Sequence, residues 1–91
     1  MRTLKLTDEL LDLADQVVKK GNVNAVSDAG VAALQAEAAA TGAYFNVRIN
    51  LPQIDDDDYK SRISDEAETL VDTIRKKSLR IGRRVKKQFQ S

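Results

Sequence analysis

The stretch Asn22–Leu51, NVNAVSDAGVAALQAEAAATGAYFNVRINL, constrains this chain more than any other. It is crowded with Ala and Gly, yet it sets Ser27, Asp28, Asn46, Arg48 and Asn50 at fixed places in that background. Ala is the strongest helix former, and small side chains let helices approach closely. A polar group buried among them needs a partner, since an unsatisfied buried amide costs about 1–3 kcal/mol. If not buried, it is free to line a site.

The rest of the sequence also reads as helix. A first helix is expected at about residues 8–20, with Thr7 as N-cap and Asp8 and Glu9 in the first turn. Leu10, Leu11, Ala14, Val17 and Val18 form one broad stripe, and Gly21 follows as the C′ residue. The second helix is expected over 25–50, capped by Asn24 or Ser27. The residues after Gly42 alternate in polarity like a strand, but a lone strand has no mate here, and helical spacing places Tyr44, Val47 and Leu51 on one face. Pro52 biases the chain out of helix. A third helix, at 56–88, begins in Asp55–Asp58 and carries Tyr59, Ile63, Ala67, Leu70 and Ile74 on one stripe, extending through Leu79, Ile81 and Val85. The fold class is therefore all-α: three helices in an antiparallel bundle, completed by an oligomeric partner or by a missing N-terminal half. A chain of 91 residues buries only about 60–65% of its unfolded surface, which makes such completion favourable.

Composition removes several chemistries. The sequence has no Cys and no His, so disulfides, thiolate nucleophiles, imidazole bases and ordinary zinc sites are excluded. Acid–base work falls to Asp, Glu, Lys or Tyr. The four aspartates do not fit a calcium loop, because Tyr59 and Lys60 stand where a ligand and a Gly are required; they read as an acidic helix start, and no metal site is expected. No apolar run has membrane-spanning length and no signal-peptide pattern opens the sequence, so a cytoplasmic protein is expected.

Charge is unevenly placed. Residues 1–72 hold all fourteen acids against seven bases, and residues 73–91 hold eight bases and no acid. The basic tail admits nucleic-acid binding. However, its cations are interleaved with Leu79, Ile81, Val85 and Phe89, and stacking aromatics are sparse. A solvated helix end is the better reading of the tail, and nucleic acid is the least favoured partner.

The run Asn24-Ala25-Val26-Ser27-Asp28-Ala29-Gly30-Val31-Ala32-Ala33-Leu34, followed by Asn46-Val47-Arg48-Ile49-Asn50-Leu51, resembles the signature near the C-terminal end of the formiminotetrahydrofolate cyclodeaminase and methenyltetrahydrofolate cyclohydrolase family. The resemblance implies an all-helical protein that forms homo-oligomers and acts on folate-bound one-carbon units. Such proteins open the methenyl ring with water or close the formimino group with loss of ammonia. It implies a tetrahydrofolate derivative as substrate and no covalently bound cofactor. On it, Ser27, Asp28, Asn46 and Asn50 are the expected substrate-binding residues, and Arg48 is suited to a folate glutamate tail. The family's Gly-rich helix start, and the acidic residue usually held responsible for catalysis, lie in an N-terminal half with no counterpart here, and Val23 stands where the family commonly has Pro. No catalytic residue is therefore assigned. A truncated gene, a fragment and a small relative all fit that pattern. The alternative function is a non-catalytic helical oligomerisation module.

Overall fold

The computed structural model describes residues 2–20 and 23–89. They form three helices, α1 (Arg2–Lys20), α2 (Val23–Asn50) and α3 (Asp57–Phe89), with a 3₁₀ turn over Leu51–Gln53 between the last two. Among the described residues there is no strand. Gly21, the expected C′ residue of α1, lies outside them. Helix α2 runs unbroken through Gly42, and α3 runs through Gly82. Two expected helix starts are corrected. Helix α1 begins at Arg2 rather than near residue 8, so Thr7 is not an N-cap. It is buried in the second turn, and its Oγ1 donates to the Thr3 carbonyl at 2.7 Å. Helix α2 begins at Val23, which places Asn24 and Ser27 inside it.

The turn between α2 and α3 follows from local chemistry. Pro52 disfavours helical backbone at the residue before it, and the chain leaves helix geometry altogether at Ile54, which is extended. The Ile54 N–H donates to the Leu51 carbonyl at 3.0 Å, closing the turn. Asp56 then caps α3: its Oδ1 accepts the Tyr59 N–H at 3.1 Å. Asp57 and Asp58 occupy the first turn, and Lys86 and Lys87 the last, both favourable to the helix dipole.

Cross-helix pairs fix the directions. Lys5 pairs with Glu66, Asp8 and Asp12 with Lys77, and Asp15 with Arg84, so α1 and α3 run the same way. Ser78 donates to Glu37, and Arg48 donates to Ser64, so α2 runs against α3. The result is a rod of 54 × 17 × 15 Å. Helix α1, at 19 residues, spans about 28 Å and covers only one end of the α2–α3 hairpin. In the hairpin from residue 41 to residue 66, Leu51 alone is buried.

The core is a heptad seam in all three helices. Leu4, Thr7, Leu11, Ala14 and Val18 supply α1; Val26, Ala29, Ala33, Ala36 and Ala40 supply α2; Ala67, Val71, Ile74, Ser78, Ile81 and Val85 supply α3. Each set steps alternately by three and four residues, the spacing that keeps a seam on one face of supercoiled helices. Four of the five α2 positions are Ala, so α2 is a thin helix against which the larger side chains of α1 and α3 close. In α3, the polar Ser78 takes the seam position, donating to Glu37 Oε2 at 3.0 Å, while its neighbour Leu79, expected on the buried stripe, is exposed.

An ion-pair belt fastens α1 to α3 beside this seam. Lys77 Nζ lies 2.7 Å from Asp8 Oδ1 and 2.8 Å from Asp12 Oδ1. Asp15 is buried, with Arg84 at 2.9 Å, Lys19 at 3.5 Å and Arg80 at 3.8 Å. Three of the eight basic residues beyond residue 72 thus serve packing. This explains the tail's interleaved pattern without a nucleic-acid partner. Asp12 first, and then Asp8, hold the Lys77 ammonium above its ordinary range by hydrogen bonding.

Two predictions follow from this packing. A lysine with a raised folded-state pKa stabilises the fold fully below its unfolded value, and that stability is lost as pH rises through the folded value. Urea titrations from about pH 9 to about pH 12 are therefore expected to show wild-type stability falling through an alkaline step that Lys77→Met lacks; an unchanged step in that variant would contradict the assignment. The glycines give a contrast in sign. A Cβ on Gly42 meets nothing within 4 Å, whereas one on Gly30 meets Val85 Cγ2 at 3.0 Å, and a β-branched Val cannot swing aside. Gly42→Ala is expected to stabilise by up to about 1 kcal/mol through helix propensity, and Gly30→Ala to destabilise. Equal gains in both, measured by denaturation of dilute protein, would refute the close α2–α3 contact.

Candidate functional site

The four expected binding residues all lie on α2, and the helix separates them into two sets. Ser27 and Asp28 are near its start, and Asn46 and Asn50 near its end. Ser27 and Asn46 are nineteen residues apart, which is about 28 Å along a helix. Within one chain, the two sets do not meet.

Ser27 and Asp28 also diverge around the helix. Ser27 is half-buried and lines a groove of about 640 Å³ between α2 and α3. Because α2 begins four residues earlier, the Ser27 N–H falls within the intrahelical ladder rather than at a free helix start. The site offered by Ser27 is thus its hydroxyl and the groove around it. The floor is apolar, with Gly30, Val31 and Leu34 from α2 and Leu79 and Phe89 from α3. Arg75, Arg83 and Lys86 bring positive charge; the facing carboxylate, Glu37, accepts from Ser78. An apolar floor with cations beside it suits an amphipathic anion. Sequence reasoning did not place the α3 wall in a site, although its signal was present in the interleaving of cations with Leu79 and Phe89.

Asp28 faces the other way. It is exposed and lines a groove of about 390 Å³ between α1 and α2, beside Leu10, Leu13, Val17, Ala25 and Ala32. This groove is almost wholly apolar, and Asp28 is its one ionisable group.

Asn46 and Asn50 share a face one turn apart. Both are exposed, and they lie beside Leu51, Ile54, Tyr59 and Ile63 in a hollow of about 300 Å³. Asn50 Nδ2 donates to the Asn46 carbonyl at 2.9 Å, while the Asn46 side chain is turned to solvent. Arg48 points around the other side and donates from Nη1 to Ser64 Oγ at 2.7 Å. Asp55–Asp58 are exposed, and no cluster of acidic side chains among the described residues is arranged to hold a metal ion. No described helix is long and apolar enough to cross a membrane.

Comparison with known proteins bears on the part of the chain that carries these residues. The formiminotransferase-cyclodeaminase family model matches residues 1–69. That stretch contains α1, α2 and the start of α3, and all four expected binding residues; the cation-bearing α3 wall of the larger groove lies beyond it. The methenyltetrahydrofolate cyclohydrolase of Methylorubrum extorquens is 50% identical over 48 residues, a stretch that is 53% of this chain and 23% of that enzyme. The chain therefore aligns with less than a quarter of the length of the curated relative. No solved structure gave a significant match. With the family model covering about three quarters of its length, the chain belongs to the formiminotransferase-cyclodeaminase family.

Proposed function

We propose that this protein binds a formimino- or methenyl-tetrahydrofolate as a helical component of a cyclodeaminase- or cyclohydrolase-type site, and that it contributes binding residues rather than a complete catalytic centre. The observation that carries the reading is the family match over residues 1–69 together with half-identity to a methenyltetrahydrofolate cyclohydrolase. The ligand class is consistent with the surface. A reduced pterin with its aryl group is flat and largely apolar, and the glutamate tail is anionic; the groove at Ser27 offers an apolar floor with three cations beside it. Asn46 and Asn50 supply amide donors and acceptors of the kind that read pterin edges.

The reaction such a site serves is attack at one amidine-type carbon. In the hydrolytic direction, water adds to the methenyl carbon, and one carbon–nitrogen bond of the ring then breaks to leave a formyl group. In the deaminating direction, a folate nitrogen adds to the formimino carbon and ammonia leaves. Each needs a group that takes up and returns a proton. Among the four binding residues, Asp28 alone can do so. It stands exposed beside an apolar groove, with no described base or cation paired to it. A lone exposed carboxylate does not make an efficient acid–base centre, so turnover by this chain alone is expected to be weak or absent.

One observation favours a second reading, that of a non-catalytic oligomerisation module. Outside its core seam α2 leaves Val31, Leu34, Phe45 and Ile49 each more than half exposed, and apolar surface of that extent on a helix is ordinarily covered.

The two readings separate by calorimetry with folinic acid as the probe. Saturable binding by the wild-type chain, weakened at least about tenfold (about 1.4 kcal/mol) in Arg83→Ala, which removes one cation of the Ser27 groove, with helical circular dichroism retained, is the expected result. Absence of any binding would overturn the folate reading and leave the module. Rapid hydrolysis of methenyltetrahydrofolate by the purified chain would overturn the assignment of a binding component.

A further inference from the structure

The hollow at the hairpin end of the rod exists because α1 stops short of it. Lys5 pairs with Glu66, so α1 reaches back only to about the third turn of α3. Tyr59 and Ile63 stand earlier on α3, on the side that α1 packs against. Tyr59 is one heptad before Glu66 and Ile63 two heptads before Lys77, and Glu66 and Lys77 both pair with α1. A heptad returns to the same side of a supercoiled helix.

Asn46 and Asn50 obey the matching rule on α2. They stand eighteen residues beyond Asp28 and Ala32, which is about five whole turns, and Asp28 and Ala32 line the groove against α1. The two amides, Tyr59 and Ile63 therefore converge on the track that α1 follows higher in the rod. No described element covers them there, and the space left is the hollow of about 300 Å³.

Three properties of the lining define what fits. The first is charge. No Asp, Glu, Lys or Arg lines the hollow, and an unpaired charge is costly to bury, so the group it takes is neutral. The Ser27 groove, about 28 Å away along α2, is the opposite case, with three cations beside its floor.

The second is a flat apolar surface. Val47, Leu51, Ile54 and Ile63 are aliphatic, and Tyr59 adds a ring that is 43% exposed. The Tyr59 backbone is held by its N–H bond to Asp56, and Arg62 stands over one face of the ring, 5.8 Å from the centroid. A planar ligand packs on the other face.

The third is the pair of amides. Asn50 Nδ2 donates one of its two N–H groups to the Asn46 carbonyl at 2.9 Å. That bond orients the Asn50 amide and leaves its Oδ1 free to accept. The Asn46 side chain is exposed and offers a donor and an acceptor side by side. An Asn amide reads a ring edge bidentately where the edge carries a donor next to an acceptor.

We infer that this hollow is a binding site for a neutral, planar nitrogen heterocycle with a donor and an acceptor adjacent on one edge, the chemistry shared by a pterin and a purine base. The ring packs on Tyr59, and Asn46 and Asn50 read its edge. The volume is at the low end for ligand pockets, the size of a ring system rather than of a whole cofactor. The site is separate from the Ser27 groove. That the heterocycle is the head of a folate rests on the folate reading; that a heterocycle binds here rests on the hollow alone.

The test titrates the intact chain with two probes, unsubstituted pterin and guanosine, by calorimetry. Saturable binding of at least one is expected, and the one that binds identifies the source of the ring. Tyr59→Leu is expected to weaken that binding about tenfold or more, and Tyr59→Phe, which keeps the ring face, to leave it nearly unchanged. Asn46→Leu, at an exposed position, is expected to weaken it with helical circular dichroism retained. Binding of neither probe would overturn the inference. Unchanged binding in Tyr59→Leu would do so as well, and if that variant unfolds, unchanged binding in Asn46→Leu decides the same way. Folinic acid separates this site from the folate reading. Folinic acid bound with neither probe bound would overturn the site and leave that reading; a probe bound without folinic acid would overturn that reading and leave the site.

Discussion

The structure depends on the thinness of α2. Its seam residues are Val26, Ala29, Ala33, Ala36 and Ala40, so from Ala29 to Ala40 the other two helices meet only methyl groups along it. The cost is that alanine buries little surface. At about 25 cal/mol for each Å² buried, a seam of methyl groups contributes much less than one of Leu or Ile. The larger apolar area comes from Leu4 and Leu11 on one side and Ile74 and Ile81 on the other. The ion-pair belt from Asp8, Asp12 and Asp15 to Lys77, Arg80 and Arg84 runs beside that seam. It fixes the register of α1 on α3, because Lys77 sits between Asp8 and Asp12 while Asp15, further along α1, meets Arg80 and Arg84 further along α3.

Much of this architecture was legible in the sequence, and the failures have identifiable causes. Helical periodicity gave three helices, and the chain does run as helix through Gly42, where alternating polarity resembled a strand. Polar and apolar residues are mixed around α2, so its period reveals no single face, and the pattern after Gly42 was ambiguous until packing decided it. The start of α1 was misplaced because Thr7, Asp8 and Glu9 match a cap signal. Leu4 is fully buried, and it draws the preceding turn into the helix against a local preference worth about 1 kcal/mol. Leu79 was placed on the buried stripe because a hydroxyl scores poorly as core. Ser78 takes the place because Glu37 and the Ala33 carbonyl satisfy it. The expected binding residues could be named from sequence. That they fall into two distant sets already follows from a single helix over 25–50; which groove each one lines did not, because that depends on where α1 and α3 pack against α2.

That separation gives the family resemblance a physical consequence. The matched stretch ends at residue 69, yet the rod needs the rest of α3, since Ile74, Ile81, Val85 and the cations of the belt all lie beyond it. The tail of this chain therefore completes a packing unit around the family portion. A unit built this way exposes one side of α2 and leaves the binding residues near its opposite ends.

The most direct test of the account is the stability of Ala33→Leu in urea denaturation, since Ala33 is 1% exposed at the middle of the α2 seam. A thin α2 predicts a loss of about 1–3 kcal/mol from overpacking; an unchanged or raised midpoint would contradict it.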